Sequence, residues 1–170
     1  MEDEQEEKWK ALMRGQVMSA TINKFMTIIK LMDQKAQAMI FMNSVLIPVC
    51  IRSVETGSFP RAGTISIATA IISILAALVC IYPKRRYRKH GHRELNLLHF
   101  NDIGHMKKED YIDLFMPVFN DPSKLADTVI NDLYDTSRYS ILPKYMWLKI
   151  SYGTFAFGNI IAIIVAFMHM

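Results

Sequence analysis

Three long stretches of the chain are apolar and carry no formal charge. They cover residues 36–51, 62–83 and 150–170, which are 16, 22 and 21 residues long. A bilayer core about 30 Å thick needs roughly 20 apolar residues at the rise of an α-helix. The second and third stretches have this length, and the first is shorter. The pattern therefore predicts an integral membrane protein with three transmembrane helices.

The first apolar stretch leaves two interpretations open, because it is short and contains Asn43, Ser44 and Pro48. It spans the bilayer if the charged ends of Lys35 and Arg52 extend to the two interfaces. Otherwise it is one buried helix of a hairpin in a soluble fold, as short apolar stretches sometimes are. The two long apolar stretches that follow favour the first interpretation.

Apolar residues recur at helical spacing in the polar N-terminal region. Trp9, Met13 and Val17 follow one another at intervals of four, which is the pattern of an amphipathic helix. No proline precedes Pro48, so we expect a helix over residues 2–34 that continues without a break into the first span. Acidic residues crowd its start, where the helix dipole favours them.

The polar region between the second and third spans also shows helical spacing. One helix is predicted over residues 107–119, with Pro117 distorting its end. The next helix begins with Asp121 as N-cap and Pro122 in the first helical position. Pro143 is expected to break or kink that helix just before the third span. No stretch alternates in the manner of a β-strand, so the predicted fold class is all-α with a helical cytoplasmic region.

The distribution of Lys and Arg predicts the orientation in the membrane. Residues 84–149 contain twelve of the twenty basic residues and residues 1–35 contain six, whereas the connection between spans one and two contains only Arg52 and Arg61. Basic residues accumulate on the cytoplasmic side, so the N-terminus is expected inside and the C-terminus outside. The predicted parts are a cytoplasmic amphipathic helix over residues 1–35, a transmembrane hairpin over 36–83, a cytoplasmic helical segment over 84–149 and a third transmembrane helix over 150–170.

Motifs of catalysis and metal binding are missing from the sequence. The acidic start differs from the basic start of a secretory signal peptide, and Cys50 and Cys80 lie at ends of predicted spans, where we expect them to pack. There is no glycine-rich phosphate loop and no nucleophile elbow. Four histidines lie close together but lack the spacing of a zinc site: His90, His92, His99 and His105. We therefore expect no enzyme activity, no metal or other cofactor, and no nucleic acid polymer as partner.

Small residues recur every four positions in two spans. The second span carries Thr69, Ser73 and Ala77, and the third carries a similar series through Gly158 and Ala162. Small residues let helices approach closely in lipid, where no hydrophobic force holds them together. Either these faces pack within one chain, or they join the subunits of a homo-oligomer.

The basic run over residues 84–89 has two interpretations. It sets topology and anchors the chain to anionic lipid headgroups, or its arginines also bind a phosphate-bearing ligand. Arg93 and Asn96 are the leading ligand candidates, because a spacing of three puts them on one face of a predicted helix beyond this run. The complete candidate set is Arg93, Asn96, Arg88, Arg86 and Lys144.

An ordered set of short motifs around the spans resembles a known family. The motifs are Asp33-Gln34-Lys35-Ala36, Asn96-Leu97-Leu98-His99-Phe100, Glu109-Asp110-Tyr111, Asn131-Asp132-Leu133-Tyr134 and Lys144-Tyr145. In order and spacing, the chain resembles the transmembrane effectors of bacterial Pycsar (pyrimidine cyclase) antiphage systems over about residues 31–161.

The resemblance implies a membrane effector that responds to a cyclic pyrimidine mononucleotide, cyclic UMP or cyclic CMP, made by a partner cyclase. Such an effector is expected to oligomerise, to impair the bacterial inner membrane and to cause abortive infection. The sequence has no cyclic-nucleotide-binding β-roll, so any pocket is built from helices. The alternative is a membrane-anchored adaptor whose cytoplasmic helices bind a protein. A transporter subunit is disfavoured because no charge lies deep in a span.

Overall fold

The computed structural model describes residues 2–82 and 96–168, and every regular element in these ranges is helical. This confirms the all-α fold class. The elements are α1 (Glu2–Glu55), α2 (Pro60–Ile81), α3 (Phe100–Gly104), α4 (Lys108–Phe119), α5 (Pro122–Asp135), a π-helical segment (Thr136–Ile141) and α6 (Leu142–Phe167).

Helix α1 is continuous over 54 residues and includes Pro48. The prediction that the N-terminal helix runs unbroken into the first apolar stretch is therefore confirmed. The helix ends at Glu55, and Gly57 follows with a positive φ of 70°. Glycine adopts this conformation without steric cost, which lets the chain turn. Pro60 then occupies the start of α2, where its missing N–H is not needed.

Helices α2 and α6 pack against each other, and mostly small residues fill the contact. A Cβ atom added to Gly158 would collide with the side chain of Thr69. Ser73, Ala77 and Ala162 are also buried. Of the two interpretations of the small-residue faces, the structure thus supports packing within one chain.

Three helices are long and apolar enough to cross a membrane: Glu4–Glu55, Pro60–Ile81 and Pro122–Phe167. The chain is a membrane protein with three candidate spans. The third of these helices continues through Pro143, so of the expected break or kink the break is wrong. Pro143 lies in the first turn of α6, directly after the π-helical segment. Proline is tolerated at such a position because the preceding turn is already irregular.

The helices of the polar region agree with the sequence patterns except before α3. Pro117 lies in the last turn of α4, and the N-cap at Asp121 is confirmed, since its Oδ1 accepts hydrogen bonds from two backbone N–H groups. Residues 96–99 form a turn instead of a helix. The expected helical face shared by Arg93 and Asn96 is therefore wrong at Asn96, and Arg93 lies outside the described residues.

The chain divides into two compact units. The first, here called the polar unit, comprises Met1–Met26 and Arg85–Ser140. The second, here called the membrane unit, comprises Thr27–Lys84 and Ile141–Met170. Both α1 and the long helix Pro122–Phe167 contribute residues to each unit.

Candidate functional site

A buried ion pair joins two helices of the membrane unit. Nζ of Lys144 on α6 donates a hydrogen bond to Oδ1 of Asp33 on α1. The Lys144 side chain is 7% exposed and that of Asp33 is 31% exposed, so the carboxylate keeps some access to solvent. Lys and Asp are rarely buried unless they are paired, because desolvation of either charge is costly. The pair therefore ties α1 to α6 at the start of the apolar stretches.

The third helix of the unit meets this pair through Cys80. The thiol of Cys80 on α2 donates to the backbone carbonyl of Lys144 at 3.3 Å. Around it lies the main apolar cluster of the unit, which draws residues from α1, α2 and α6. Its members are Met32, Ala36, Met39, Ala77, Cys80 and Leu148. The prediction that Cys80 packs is confirmed, and both cysteines are buried free thiols.

A polar cluster, here called the serine clasp, connects the three helices within the apolar region. Ser73 Oγ of α2 donates to the backbone carbonyl of Ser151 of α6 at 3.0 Å, and Ser151 Oγ donates back to the Ser73 carbonyl at 2.9 Å. Asn43 Nδ2 of α1 donates to Ser73 Oγ at 3.1 Å. Hydrogen bonds of this kind hold helices together in lipid, where water does not compete.

Asn43 is fully buried, yet only half of its amide is satisfied. Its Nδ2 donates to Ser73 and to the backbone carbonyl of Met39, at 3.1 and 2.8 Å. Its Oδ1 accepts no hydrogen bond among the described residues. An unsatisfied buried acceptor costs free energy, so the contact of α1 with the clasp is not fully optimised.

In the polar unit, a second cluster forms around Asn96. Asn96 Nδ2 donates to Oδ1 of Asp132 on α5 at 2.7 Å, and its Oδ1 accepts from the Leu98 N–H at 3.0 Å. The Asn96 N–H donates to Oδ2 of the buried Asp102 at 3.3 Å. One asparagine thus fixes the turn of residues 96–99 against both α3 and α5.

Helix α4 joins this cluster through Tyr111. Its hydroxyl donates to the backbone carbonyl of Leu97 at 3.3 Å. The ring of Tyr111 stacks on Phe115, with 5.3 Å between centroids, and Phe115 contacts Phe119 at 5.8 Å. Three of the motifs named above, which contain Asn96, Tyr111 and Asp132, therefore meet in one place.

The predicted ligand residues fall into two groups. Asn96 and Lys144 are described, and both have partners within their own unit: Asp132 and Asp33 respectively. Arg86, Arg88 and Arg93 lie outside the described residues, as does the whole basic run over residues 84–89. Asn96 belongs to the polar unit and Lys144 to the membrane unit.

Sequence reasoning missed the partners of both described candidates. Asp33 and Asp132 each belong to a motif that carried the family resemblance, but neither was assigned a role. A signal was present for Asp33, because it and Lys144 are opposite charges placed just before two different spans. Charges at such positions are expected to pair when their helices pack together.

Open grooves in the described residues lie away from these clusters. One of them, about 590 Å³, lies between the start of α2 and the end of α6 and is mainly apolar; it is lined by Pro60, Arg61, Thr64, Ile65, Val165 and Met168. Within residues 2–82 and 96–168, no group of three or more His, Cys, Asp or Glu side chains could hold a metal ion.

Comparison with known proteins identifies a family for nearly the whole chain. The model of the Pycsar effector protein domain (PycTM) matches residues 17–169. No curated protein and no solved structure matches the chain. The matched range includes each cluster described above and leaves residues 1–16 of the polar unit outside.

Proposed function

The chain belongs to the Pycsar effector family, and on that premise we propose that a cyclic pyrimidine mononucleotide activates it to impair the inner membrane. The family assignment implies an antiphage membrane effector and a signal made by a nucleotide cyclase. Members of this family are generally non-enzymatic. The proposed ligand is cyclic UMP or cyclic CMP, and the proposed outcome is death of the infected cell before phage release.

The observation that carries this proposal is the continuity of two helices between the units. Helix α1 and the helix Pro122–Phe167 each begin in the polar unit and end in the membrane unit. In this proposal, a change in the polar unit reaches the spans along these two helices. A ligand shifts such an equilibrium only by the difference between its affinities for the resting and activated states.

The Asn96 cluster supports a ligand-responsive role for the polar unit. It brings α4, α5 and the turn before α3 together through a few hydrogen bonds, and in the sequence it directly follows the segment that contains the arginines. A phosphate-bearing ligand held by Arg93, Arg88 or Arg86 would act directly on this turn. Charge-assisted hydrogen bonds from arginine to phosphate are stronger than hydrogen bonds between neutral groups.

In the proposed activation, Lys144 is the residue of the membrane unit whose contact changes. Its ion pair with Asp33 joins α1 to α6, the two helices that carry the change. An activated state that separates these helices must break this pair. The pair then contributes to keeping the effector at rest until the ligand is bound.

Orientation is the first requirement of this proposal. The excess of Lys and Arg in residues 1–35 and 84–149 supports a cytoplasmic polar unit and a periplasmic C-terminus. A reporter that is active only in the periplasm should work when fused after Met170 and fail when fused near His105. The opposite pattern would place the polar unit where a cytoplasmic nucleotide cannot reach it.

The deciding experiment titrates cyclic UMP and cyclic CMP against the full-length protein in detergent, with membrane potential measured in cells that produce each nucleotide. We expect one nucleotide to bind and to depolarise the membrane. Arg93→Ala should weaken binding about tenfold or more, as the loss of one charge-assisted hydrogen bond implies. Arg85→Ala is the matched control, and it should change binding less if that residue holds lipid headgroups.

The same titration tests an adaptor as the second candidate function. The N-terminal part of α1 leaves large apolar side chains open, with Trp9 65% and Val17 63% exposed. Such a face is suited to a protein partner. Failure of the wild-type protein to bind either nucleotide would remove the proposed activation and support the adaptor.

A further inference from the structure

Asn159 on α6 lies near the middle of the third apolar stretch, residues 150–170. Lys149 is exposed and is the last charged residue before the third apolar stretch. Asn159 follows it by ten residues, which is about 15 Å along a helix and half of a hydrocarbon core of about 30 Å. A polar side chain at this depth is expensive unless another group of the protein satisfies it.

The amide of Asn159 is only partly satisfied. Its Nδ2 donates to the backbone carbonyl of Phe155 at 2.7 Å, and this is its one hydrogen bond among the described residues. An asparagine amide has two N–H donors and an acceptor with two lone pairs. Asn159 is partly exposed, and the described residues leave the remaining donor and acceptor capacity unused.

The two residues beside Asn159 on this face also point outward. Ala156, three residues earlier, is exposed, and Ile163, four residues later, is 56% exposed. Gly158, which directly precedes Asn159 in the sequence, is buried against α2. Asn159 therefore lies at the edge of the intramolecular contact, where a helix from another chain can reach its amide.

We propose that Asn159 hydrogen-bonds to Asn159 of a second copy of this chain and thereby fixes a homo-oligomeric contact along α6. Lipid tails offer no hydrogen bond, and a copy inserted with the same orientation presents the same amide at the same depth. An amide is self-complementary because it both donates and accepts. Polar side chains join transmembrane helices in this way.

This inference rests on the proposed function only in placing α6 across the bilayer of a self-associating effector. The proposed contact between subunits does not use the small-residue face of α6. Gly158 and Ala162 are buried within the chain, whereas Asn159 is partly exposed and lies about 100° round the helix from Gly158. The neighbouring Ala156 adds little bulk, so two α6 helices can approach closely enough for their amides to meet.

The test measures energy transfer between two fluorescent fusions of the full-length protein in bacterial inner-membrane vesicles. Asn159→Leu should weaken association about three- to tenfold, the size expected for one interhelical hydrogen bond in lipid. Asn159→Gln retains an amide and should restore most of the signal. Ser44→Ala is the matched control, because Ser44 is also exposed in a span but donates to its own helix at Ile40.

A second measurement uses disulfide formation. Ala156→Cys, in a chain whose Cys50 and Cys80 are replaced by Ala, should crosslink between copies, and adding Asn159→Leu should reduce the crosslinked fraction. The proposal is overturned if the Asn159→Leu variant shows as much energy transfer as the wild type. It is also overturned if the wild type shows no energy transfer. Association that depends on Asn159 without any response to cyclic UMP or cyclic CMP would support this contact and refute the proposed ligand activation.

Discussion

The two units differ in how their helices are held. In the membrane unit, α2 and α6 bury small residues against each other, and an ion pair and the serine clasp connect them to α1. In the polar unit, α4 and α5 bury none of their residues in the part of the chain that the structure describes. Asn96 donates a hydrogen bond to Asp132 on α5, and the neighbouring Leu97 carbonyl accepts one from Tyr111 on α4, whereas the stacking of Tyr111 on Phe115 lies within α4.

This difference indicates a division of roles. Close packing makes a unit intolerant of changes in volume, since a few tenths of an ångström already cost contacts. A unit with few buried contacts opens at a lower free energy, and switching elements are drawn from such regions. We therefore expect substitutions in the membrane unit to change stability, and those in the polar unit to change the response to ligand.

The largest loss of stability is expected when the ion pair loses its acid. Asp33→Asn leaves the buried ammonium of Lys144 uncompensated, which costs about 3–5 kcal/mol in a fully buried pair. Because Asp33 is 31% exposed, we expect a smaller loss of about 2–3 kcal/mol in thermal or denaturant unfolding in detergent.

Two variants sharpen that measurement. Adding Lys144→Met to Asp33→Asn should recover most of the loss, because no charge is then left buried. Lys149→Met removes an exposed lysine of the same helix and should have little effect. Equal losses for Lys144→Met and Lys149→Met would contradict a special role for the pair.

Packing of α2 on α6 predicts an intermediate effect. A Cβ at Gly158 collides with Thr69, whereas a Cβ at Gly153 meets nothing within 4 Å. Gly158→Ala should destabilise the protein by about 1–3 kcal/mol through overpacking. Gly153→Ala should be neutral or stabilise by up to about 1 kcal/mol, because alanine favours the helix. The same ranking should hold for a monomeric preparation, and equal effects of the two changes would refute the packing assignment.

In the polar unit, Asn96→Asp should give a smaller loss of stability and a clear change in ligand response. The new carboxylate faces Asp132 and Asp102 and loses the donor that Asn96 offers. We expect the free energy of unfolding to fall by about 1–2 kcal/mol, since the site is only partly buried. Asn120→Asp is the control at an exposed position. A nucleotide affinity unchanged by Asn96→Asp would separate this cluster from ligand binding.

The smallest effect is expected at the N-cap of α5, and it depends on pH. The backbone N–H of Lys124, followed by that of Ser123, holds the pKa of Asp121 below its usual value. A carboxylate with a lowered pKa contributes stability that is present above its unfolded pKa, about 4, and is lost as the pH falls through the folded pKa.

Comparison of the wild type with two variants tests this pH dependence. Asp121→Ala should lower the unfolding temperature slightly at pH 7, and the difference should shrink as the solution is acidified below about pH 4. Asp121→Asn keeps a capping side chain without a charge. This variant should therefore lose only the pH-dependent part of the stability that Asp121 contributes. A difference between wild type and Asp121→Ala that persists unchanged in acid would rule out this titration.

Local features of this chain could be predicted from its sequence. Apolar length identified the second and third spans, because bilayer thickness sets a length that each of these helices meets by itself. The first stretch, with 16 residues, was assigned as a span because of the two that follow it. The N-cap at Asp121 and the first position of Pro122 followed from the chemistry of adjacent residues. The ordered motifs led to the family that now accounts for residues 17–169.

Tertiary structure decided which side chains meet. Asp33 and Lys144 are 111 residues apart and Asn96 and Asp132 are 36 apart, so no periodicity relates them. The small-residue face of α6 was compatible with either an intramolecular or an intermolecular contact until α2 was seen against Gly158. A helix specifies which residues share its face, but the partner of that face depends on how helices distant in sequence pack together.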